Sequence, residues 1–214
     1  MRNARRPMAV LLSKVVLASS LLASLSGCFG LIVGAGVAGA VSSVDRRTLG
    51  AQTEDKSINV KAELKMNDVA MGAGHINVTS FNRRVLLTGE VRDQSMKDQA
   101  EREVRAIENV VAVINELEIS GASSYTSRSS DALITTKVKT SLVDMKTVSA
   151  ISFKVTTERG VVYLMGLVTQ REGNIAADVA KGVSGVTRVV KIFEYISEED
   201  ARTRQNSPAQ ASLN

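Results

Sequence analysis

The chain has one cysteine and one histidine in 214 residues. No disulfide can close within it, and no Cys/His cage for a metal can be assembled. Tryptophan is absent and aromatics make up 3% of the chain, so the core has to be built from Val, Ile, Leu, Ala and Met. Enzyme motifs are missing as well. No serine stands in a nucleophile-elbow pattern, and no phosphate loop carries a lysine. Asp98, Glu101 and Glu103 cluster, but they alternate with Lys97, Arg102 and Arg105, the pattern of a solvated, salt-bridged helix face. His75 follows "MGAG" in what reads as a loop before a strand. The expectation is a protein that is not an enzyme, with no cofactor and no metal.

The net charge of +5 is equally uninformative about nucleic acid. Residues 1–27 hold four basic and no acidic side chains, which leaves 23 basic against 22 acidic beyond them. A basic stripe for a phosphate backbone is not indicated.

What is present begins at the N-terminus. "MRNARRPMAVLLSKVVLASSLLASLSGC" has a basic start, an apolar stretch and small residues at its end, the pattern of a secretory signal peptide over 1–27. Lys14 interrupts the apolar run, which argues against a spanning anchor. Leu25-Ser26-Gly27-Cys28 resembles the lipobox of bacterial lipoproteins. That resemblance implies a diacylglycerol on the Cys28 thiol, cleavage before Cys28, and a further acyl chain such as palmitate on the new amine. Stable anchoring needs two or more chains. Phe29, where an Asp would retain such proteins in the inner membrane, implies the inner leaflet of the outer membrane, facing the periplasm.

Residues 28–53 then read as a Gly/Ala-rich tether. They contain a G-x-G-x-x-G at Gly34, Gly36 and Gly39. A dinucleotide site needs a strand before those glycines and a helix after them, and six residues beyond the proposed lipid attachment leave little room for a strand. The apolar run Phe29–Val41 is too short to span a bilayer.

The remainder repeats itself. "INVTSFNRRVLLTGEV" (76–91) aligns with "FKVTTERGVVYLMGLV" (153–168) at an offset of 77, pairing Val78 with Val155, Thr79 with Thr156, Gly89 with Gly166 and Val91 with Val168. "DKSINVK" (55–61) aligns with "DALITTK" (131–137) at an offset of 76. Each unit reads as a helix with an Asp near its start (Asp55, Asp131) and two β-branched strands joined by a short turn. A second helix and a last strand follow. Gly89 and Gly166 interrupt the second strand, where a glycine marks a bulge or a close approach. The fold class expected is α+β. Two tandem units over 54–120 and 131–196 each run α-β-β-α-β, with two helices packed on a three-stranded mixed sheet. The Ser-rich stretch 121–130 reads as a flexible linker, and 197–214, lacking apolar periodicity, as a disordered tail.

Each unit resembles the BON domain, a family of small bacterial units from envelope and osmotic-stress proteins. The resemblance rests on the V-x-L-x-G-x-V strand and on a second helix bearing Ala100, Ala176 and Ala177. It rests also on the turn and strand "ENVVAVIN" and "SGVTRVVK", where Gly185 matches the family and Asn109 replaces its glycine. Two such units after a lipobox resemble the dual-BON outer-membrane lipoproteins.

Charge divides the two units. Residues 54–119 hold 9 basic and 12 acidic side chains, and residues 123–196 hold 10 and 6, so different partners are expected. In the first helix of the second unit, Ile134, Val138, Ser141, Leu142 and Met145 share the core face. Leu133 and Val143 fall off it, with Lys137, Lys139 and Lys146 nearby. Apolar side chains ringed by lysine suit an anionic membrane surface, while packing against the first unit or the linker would also account for Leu133. The resemblance implies that the second BON domain binds anionic phospholipid (phosphatidylglycerol, cardiolipin) through this helix, and that an aromatic residue usually stands at Leu133. Ser57 is the counterpart of Leu133 in the first unit, which therefore lacks this apolar anchor. The resemblance further implies a role in outer-membrane integrity, concentrated at division sites. The alternative is an adaptor whose first domain docks a periplasmic protein concerned with cell-wall hydrolysis or outer-membrane assembly.

Overall fold

The computed structural model describes residues 45–121 and 125–206. The leader, Cys28 and most of the tether lie outside the described residues. The first repeat comprises α1 (Leu49–Ala70), β1 (His75–Phe81), β2 (Arg84–Val91), α2 (Gln94–Arg105), β3 (Ala112–Asn115) and β4 (Glu118–Ile119). The second comprises α3 (Tyr125–Asp144), a 3-10 turn (Ala150–Ser152), β5 (Phe153–Glu158), β6 (Val161–Val168), α4 (Gln170–Lys181) and β7 (Arg188–Tyr195). A further helix, α5 (Glu198–Asn206), closes the described chain. The α-β-β-α-β order holds in both repeats.

Both sheets are mixed. β1 runs antiparallel to β2, and β3 and β4 run parallel to it. The last strand breaks at Glu116–Leu117 without changing register, since Arg84 pairs with Ala112 and Glu90 with Glu118. β5, β6 and β7 repeat the arrangement. The hairpin turns are two residues long, Asn82-Arg83 and Arg159-Gly160. All four residues have positive φ (49°, 63°, 50° and 76°), as a type I′ turn requires.

One face of each sheet is covered by its own helices. Ile58, Ala62 and Met66 of α1 meet Val85, Leu87 and Val91. Ile134, Val138 and Leu142 of α3 meet Val162, Leu164 and Val168. The other faces cover each other. Phe81 and Leu86 of the first sheet pack against Val161, Tyr163, Met165 and Leu167 of the second, with Ile114, Val190 and Ile192 at the margin. The order of layers is helix, sheet, sheet, helix. A fully buried side chain of this kind contributes about 1.5–3 kcal/mol, so the two repeats form one folded unit. This explains why every residue of β6 is buried, as is every residue of β2 after Arg84.

Internal symmetry extends to the contact. Thr79 and Thr156 occupy equivalent positions, and their hydroxyls face each other at 3.3 Å. Asn77 donates to Glu158 (2.8 Å) beside them. The turn of each repeat reaches into the other: Asn82 donates to Glu194 (2.9 Å), and Arg159 lies 3.4 Å from Glu118 and 3.8 Å from Glu90.

Several expectations from sequence are corrected. Asp55 and Asp131 do not sit at helix starts. Each is the seventh residue of its helix and is buried. Asp55 accepts from the amides of Asn82 and Arg83 (both 2.7 Å) and from Ser80 (2.8 Å). Asp131 accepts from the amides of Arg159 and Gly160 (both 2.8 Å). Each aspartate thus ties its helix to the tight turn, whose amides face away from the ladder and need an acceptor. The helices therefore begin earlier. Thr48 caps α1 by accepting from Ala51 (3.1 Å), and α3 takes in residues 125–130 of the supposed linker.

The tail contains α5, which sequence reading took as disordered. Ser197 accepts from the amide of Asp200 (3.0 Å), three acids fill the first turn where the helix dipole favours them, and Ala201 is buried. Met145 is exposed because α3 ends at Asp144, and Val148 fills the core beyond.

Gly89 has φ +112°, and a Cβ there would lie 2.0 Å from the His75 carbonyl oxygen. Its strand pairing is continuous, so the glycine serves close approach rather than a bulge. A Cβ at Gly166 would meet Ser152 O at 2.7 Å. Gly185 (φ +97°) and Asn109 (φ 67°) take the same left-handed turn in the two repeats, which Asn tolerates.

Candidate lipid-contacting surface

The orientation of α3 is fixed from three sides. Ile134, Val138 and Leu142 are buried in the core. Asp131 holds the turn amides, and Thr135 donates to Thr157 of β5 (2.7 Å). What remains outside is set by the helical repeat. Leu133 is 64% and Val143 65% exposed. Lys137, one turn from Leu133, is exposed, as are Lys139 and Lys146 on either side of Val143. Among the described residues none of these three lysines forms an ion pair.

Leu133 and Val143 do not form one patch. Ten residues separate them by about 15 Å along the axis and roughly 80° around it. Val143 lies close in sequence to exposed Met145 and to Ile151 (49% exposed) on the 3-10 turn. Ile151 was missed from sequence because it shares the alternation of the buried Phe153 and Val155, and only the 3-10 turn takes it out of the strand. Asp144 is also exposed, one acid among the lysines.

A second feature had no local signature. Arg46, in the segment assigned to the tether, is buried. It makes a bidentate pair with Glu172 at the start of α4 (2.7 and 2.8 Å) and donates to Leu167 O (3.2 Å). Glu172 also completes the Thr169 capping box of α4. Burial raises its carboxyl pKa, but the Arg46 bonds and the Thr169 amide outweigh this and hold it below the ordinary carboxylate range. Arg47 turns the opposite way. It pairs with Asp45 and Asp55 (both 2.7 Å) and lies 4.2 Å from the Phe81 ring centre. Adjacent arginines thus fasten the end of the tether to both repeats.

His75 lines a cavity of about 340 Å³ with Asn77, Arg128, Asp131, Thr135 and Glu158. Burial pushes the Glu158 carboxyl above its ordinary range. The Asn77 bond opposes the rise, and Glu90 and Asp131 add to it. Among the described residues no three His, Cys, Asp or Glu side chains are placed to hold a metal ion, and no helix is long and apolar enough to cross a membrane.

The BON-domain profile matches residues 57–121 and 130–196. The chain belongs to the BON-domain family. Among its relatives, Outer membrane lipoprotein DolP of Haemophilus influenzae is 38% identical over 174 residues, covering 80% of this chain and 90% of that protein. The 21 kDa hemolysin of Actinobacillus pleuropneumoniae is 31% identical, covering 72% and 80%. Osmotically-inducible protein Y of Escherichia coli is 29% identical, covering 64% and 70%. Two BON domains and the likeness to DolP are those of a dual-BON outer-membrane lipoprotein. Within that frame the helix–sheet–sheet–helix body is a pair of BON domains joined by their sheets, and α3 is the outer helix of the second.

Proposed function

We infer that the protein is a periplasm-facing lipoprotein anchored in the inner leaflet of the outer membrane through acyl chains on Cys28. Its second BON domain reads anionic phospholipid through α3, and its role is the upkeep of the outer membrane, including at division sites. No catalytic step is assigned to it. One observation carries the lipid reading: Leu133 stands out of the fold on a rigidly held helix, beside Lys137, which has no ion pair among the described residues. An apolar side chain can enter the interface while lysines meet lipid phosphates, each adding on the order of 1 kcal/mol at low salt. Packing against the first repeat or the linker, the alternative for Leu133, does not occur among the described residues, where it is 64% exposed. Leu lacks the interfacial preference of Trp or Tyr, so affinity is modest and salt-sensitive.

Flotation of residues 29–214, which lack Cys28 and therefore its acyl chains, tests this reading. The fragment should float with vesicles containing phosphatidylglycerol and cardiolipin and not with zwitterionic vesicles. Leu133→Asp and Lys137→Glu should each abolish it. Equal flotation of wild type and both variants, or none with any vesicle, refutes α3 as a lipid reader.

A further inference from the structure

The first sheet has an open edge along β1, which pairs only with β2. The backbone groups it offers follow from the hairpin. Phe81 and Arg84 flank the two-residue turn and bond each other, so hydrogen-bonded pairs alternate from there: Thr79 with Leu86, Asn77 with Thr88, and His75 with Glu90. Ile76, Val78 and Ser80 therefore turn their amides and carbonyls away from β2. Ser80 fits this phase, since its amide donates outside the sheet to the Asn59 side chain of α1 (3.2 Å). Among the described residues the amides and carbonyls of Ile76 and Val78 then have no partner. Both residues are half-buried, whereas their counterparts in β5, Phe153 and Val155, are buried. β1 also lacks the lysine or proline that commonly blunts such an edge.

There is room for another strand. A groove of about 320 Å³ is lined by His75, Ile76, Asn77 and Val78. Side chains of a strand alternate between its faces, so four consecutive residues share a groove only along the backbone edge. Met66, Asn67 and Ala70, near the end of α1, form the opposite wall. The cavity of about 340 Å³ that holds Asp131, Glu158 and Arg128 also includes His75 and Asn77, and lies toward the second sheet. A strand added to β1 would place alternate side chains in these two grooves, as in β-augmentation.

The linings select the side chains. Met66, Ala70, Ile76 and Val78 offer apolar contact on the α1 side. Toward the second sheet Asp131 and Glu158 outnumber Arg128, and Glu63 adds a third carboxylate beside α1. The C-terminal end of α1, whose dipole favours cations, is here as well. A second copy of this chain fits badly. Its own β1 packs Ile76 and Val78 into its own core and turns Asn77 and Thr79 onto Glu158 and Thr156, leaving no side chain for either groove.

We propose that the β1 edge is a docking site for an extended segment of another protein, with alternating apolar and basic side chains, which joins the first sheet as an added strand. The site belongs to the first domain and is independent of lipid reading by α3.

Residue-by-residue amide exchange of the full acylated chain in zwitterionic micelles tests the edge first. In the free protein Ile76 and Val78 should exchange about tenfold or more faster than Asn77 and Thr79, whose amides face β2. Three peptides then test the occupant: Lys-Val-Lys-Val-Lys-Val, the same peptide with Glu for every Lys, and the Lys peptide with proline as its fourth residue. The first should bind and slow exchange at Ile76 and Val78 by about fivefold or more, leaving Asn77 and Thr79 unchanged. The Glu peptide should bind about tenfold or more weakly, and the proline peptide, which cannot hold the ladder, should not bind. Asn67 is exposed. Asn67→Arg puts bulk and positive charge into the groove at a helix end that favours it, so binding should be lost with circular dichroism unchanged. Ile76 and Val78 amides already protected in the free protein would overturn the proposal. Protection that grows with protein concentration would also overturn it and assign the edge to a second copy. So would failure of the Lys peptide to bind, equal binding of all three peptides, or binding that leaves Ile76 and Val78 exchange unchanged.

Discussion

The two BON domains share a fold, a hairpin and a buried aspartate, yet they solve the same packing problem with different side chains. On the face where the sheets meet, the second domain presents Val161, Tyr163, Met165 and Leu167, whereas the first presents Leu86 followed by Thr88 and Glu90. The outer helices differ too. α1 carries bases and acids around Val60 and Leu64, and α3 carries Lys137, Lys139 and one exposed acid, Asp144, around Leu133 and Val143, with Lys146 just beyond its end. The repeated parts are those that shape the backbone. The parts that diverged lie where each domain meets something outside itself.

The strongest way to break the pairing is at Arg46. Arg46→Met leaves Glu172 buried without its cation, which should cost about 3–5 kcal/mol in chemical unfolding. Adding Glu172→Gln should recover most of the loss, because the amide can still accept from Thr169. The pair also sets an acid limb. Glu172 has a lowered pKa in the fold, so its contribution is present above the ordinary carboxylate pKa and is lost as pH falls through the lowered one. Arg46→Met should flatten that limb.

The aspartates sharpen the comparison next. Asp55 serves two turn amides, Ser80 and Arg47, while Asp131 serves two turn amides. Hydrogen bonds to charged groups contribute about 1.5–3 kcal/mol each. Bonds that share one carboxylate do not add in full, so Asp55→Ala should destabilise by about 3–4 kcal/mol and Asp131→Ala by about 2–3, as read by thermal unfolding. Equal losses would show that the added partners of Asp55 contribute nothing.

Gly89 and Gly166 differ in the same direction. Only Gly89 has a positive φ, and its hypothetical Cβ is the more obstructed. Gly89→Ala should cost about 2–3 kcal/mol and Gly166→Ala about 1–2, from strain and overpacking.

The smallest expected effect is at Glu158, where burial raises the folded pKa above the ordinary 4.5. The charged form is disfavoured in the fold, so wild type gains stability as pH falls through the raised pKa. Glu158→Gln keeps the Asn77 bond and lacks that dependence. It should melt higher than wild type at pH 7–8, with the difference closing below about pH 4.

Much of this architecture could be read in advance. The offsets of 76 and 77 fixed two copies, β-branched runs around short turns gave the hairpins, and Gly89 and Gly166 marked a bulge or a close approach. The exposure of Leu133 followed from helical periodicity because Ile134 and Val138 defined the core side. Asp55 and Asp131 were misread because an aspartate near an apolar-periodic run looks like a cap, and nothing local shows that the turn amides lie opposite it. The exposure of Val60 and Leu64 on α1 was hidden because alignment compared Ser57 with Leu133 and stopped there. Val60 and Leu64 are apolar like their core neighbours, and only packing shows that they face outward.

By itself the sequence determined the two repeats and the order of elements within them, because periods of 2 and 3.6 are properties of the local backbone. Only the tertiary structure decided what lies against the second face of each sheet. An unbroken apolar strand such as β6 states that both faces are buried but does not name the cover. The same holds for Arg46 and Glu172, 126 residues apart. Their pairing depends on two chain segments meeting in a low-dielectric site, and no spacing along the chain records it.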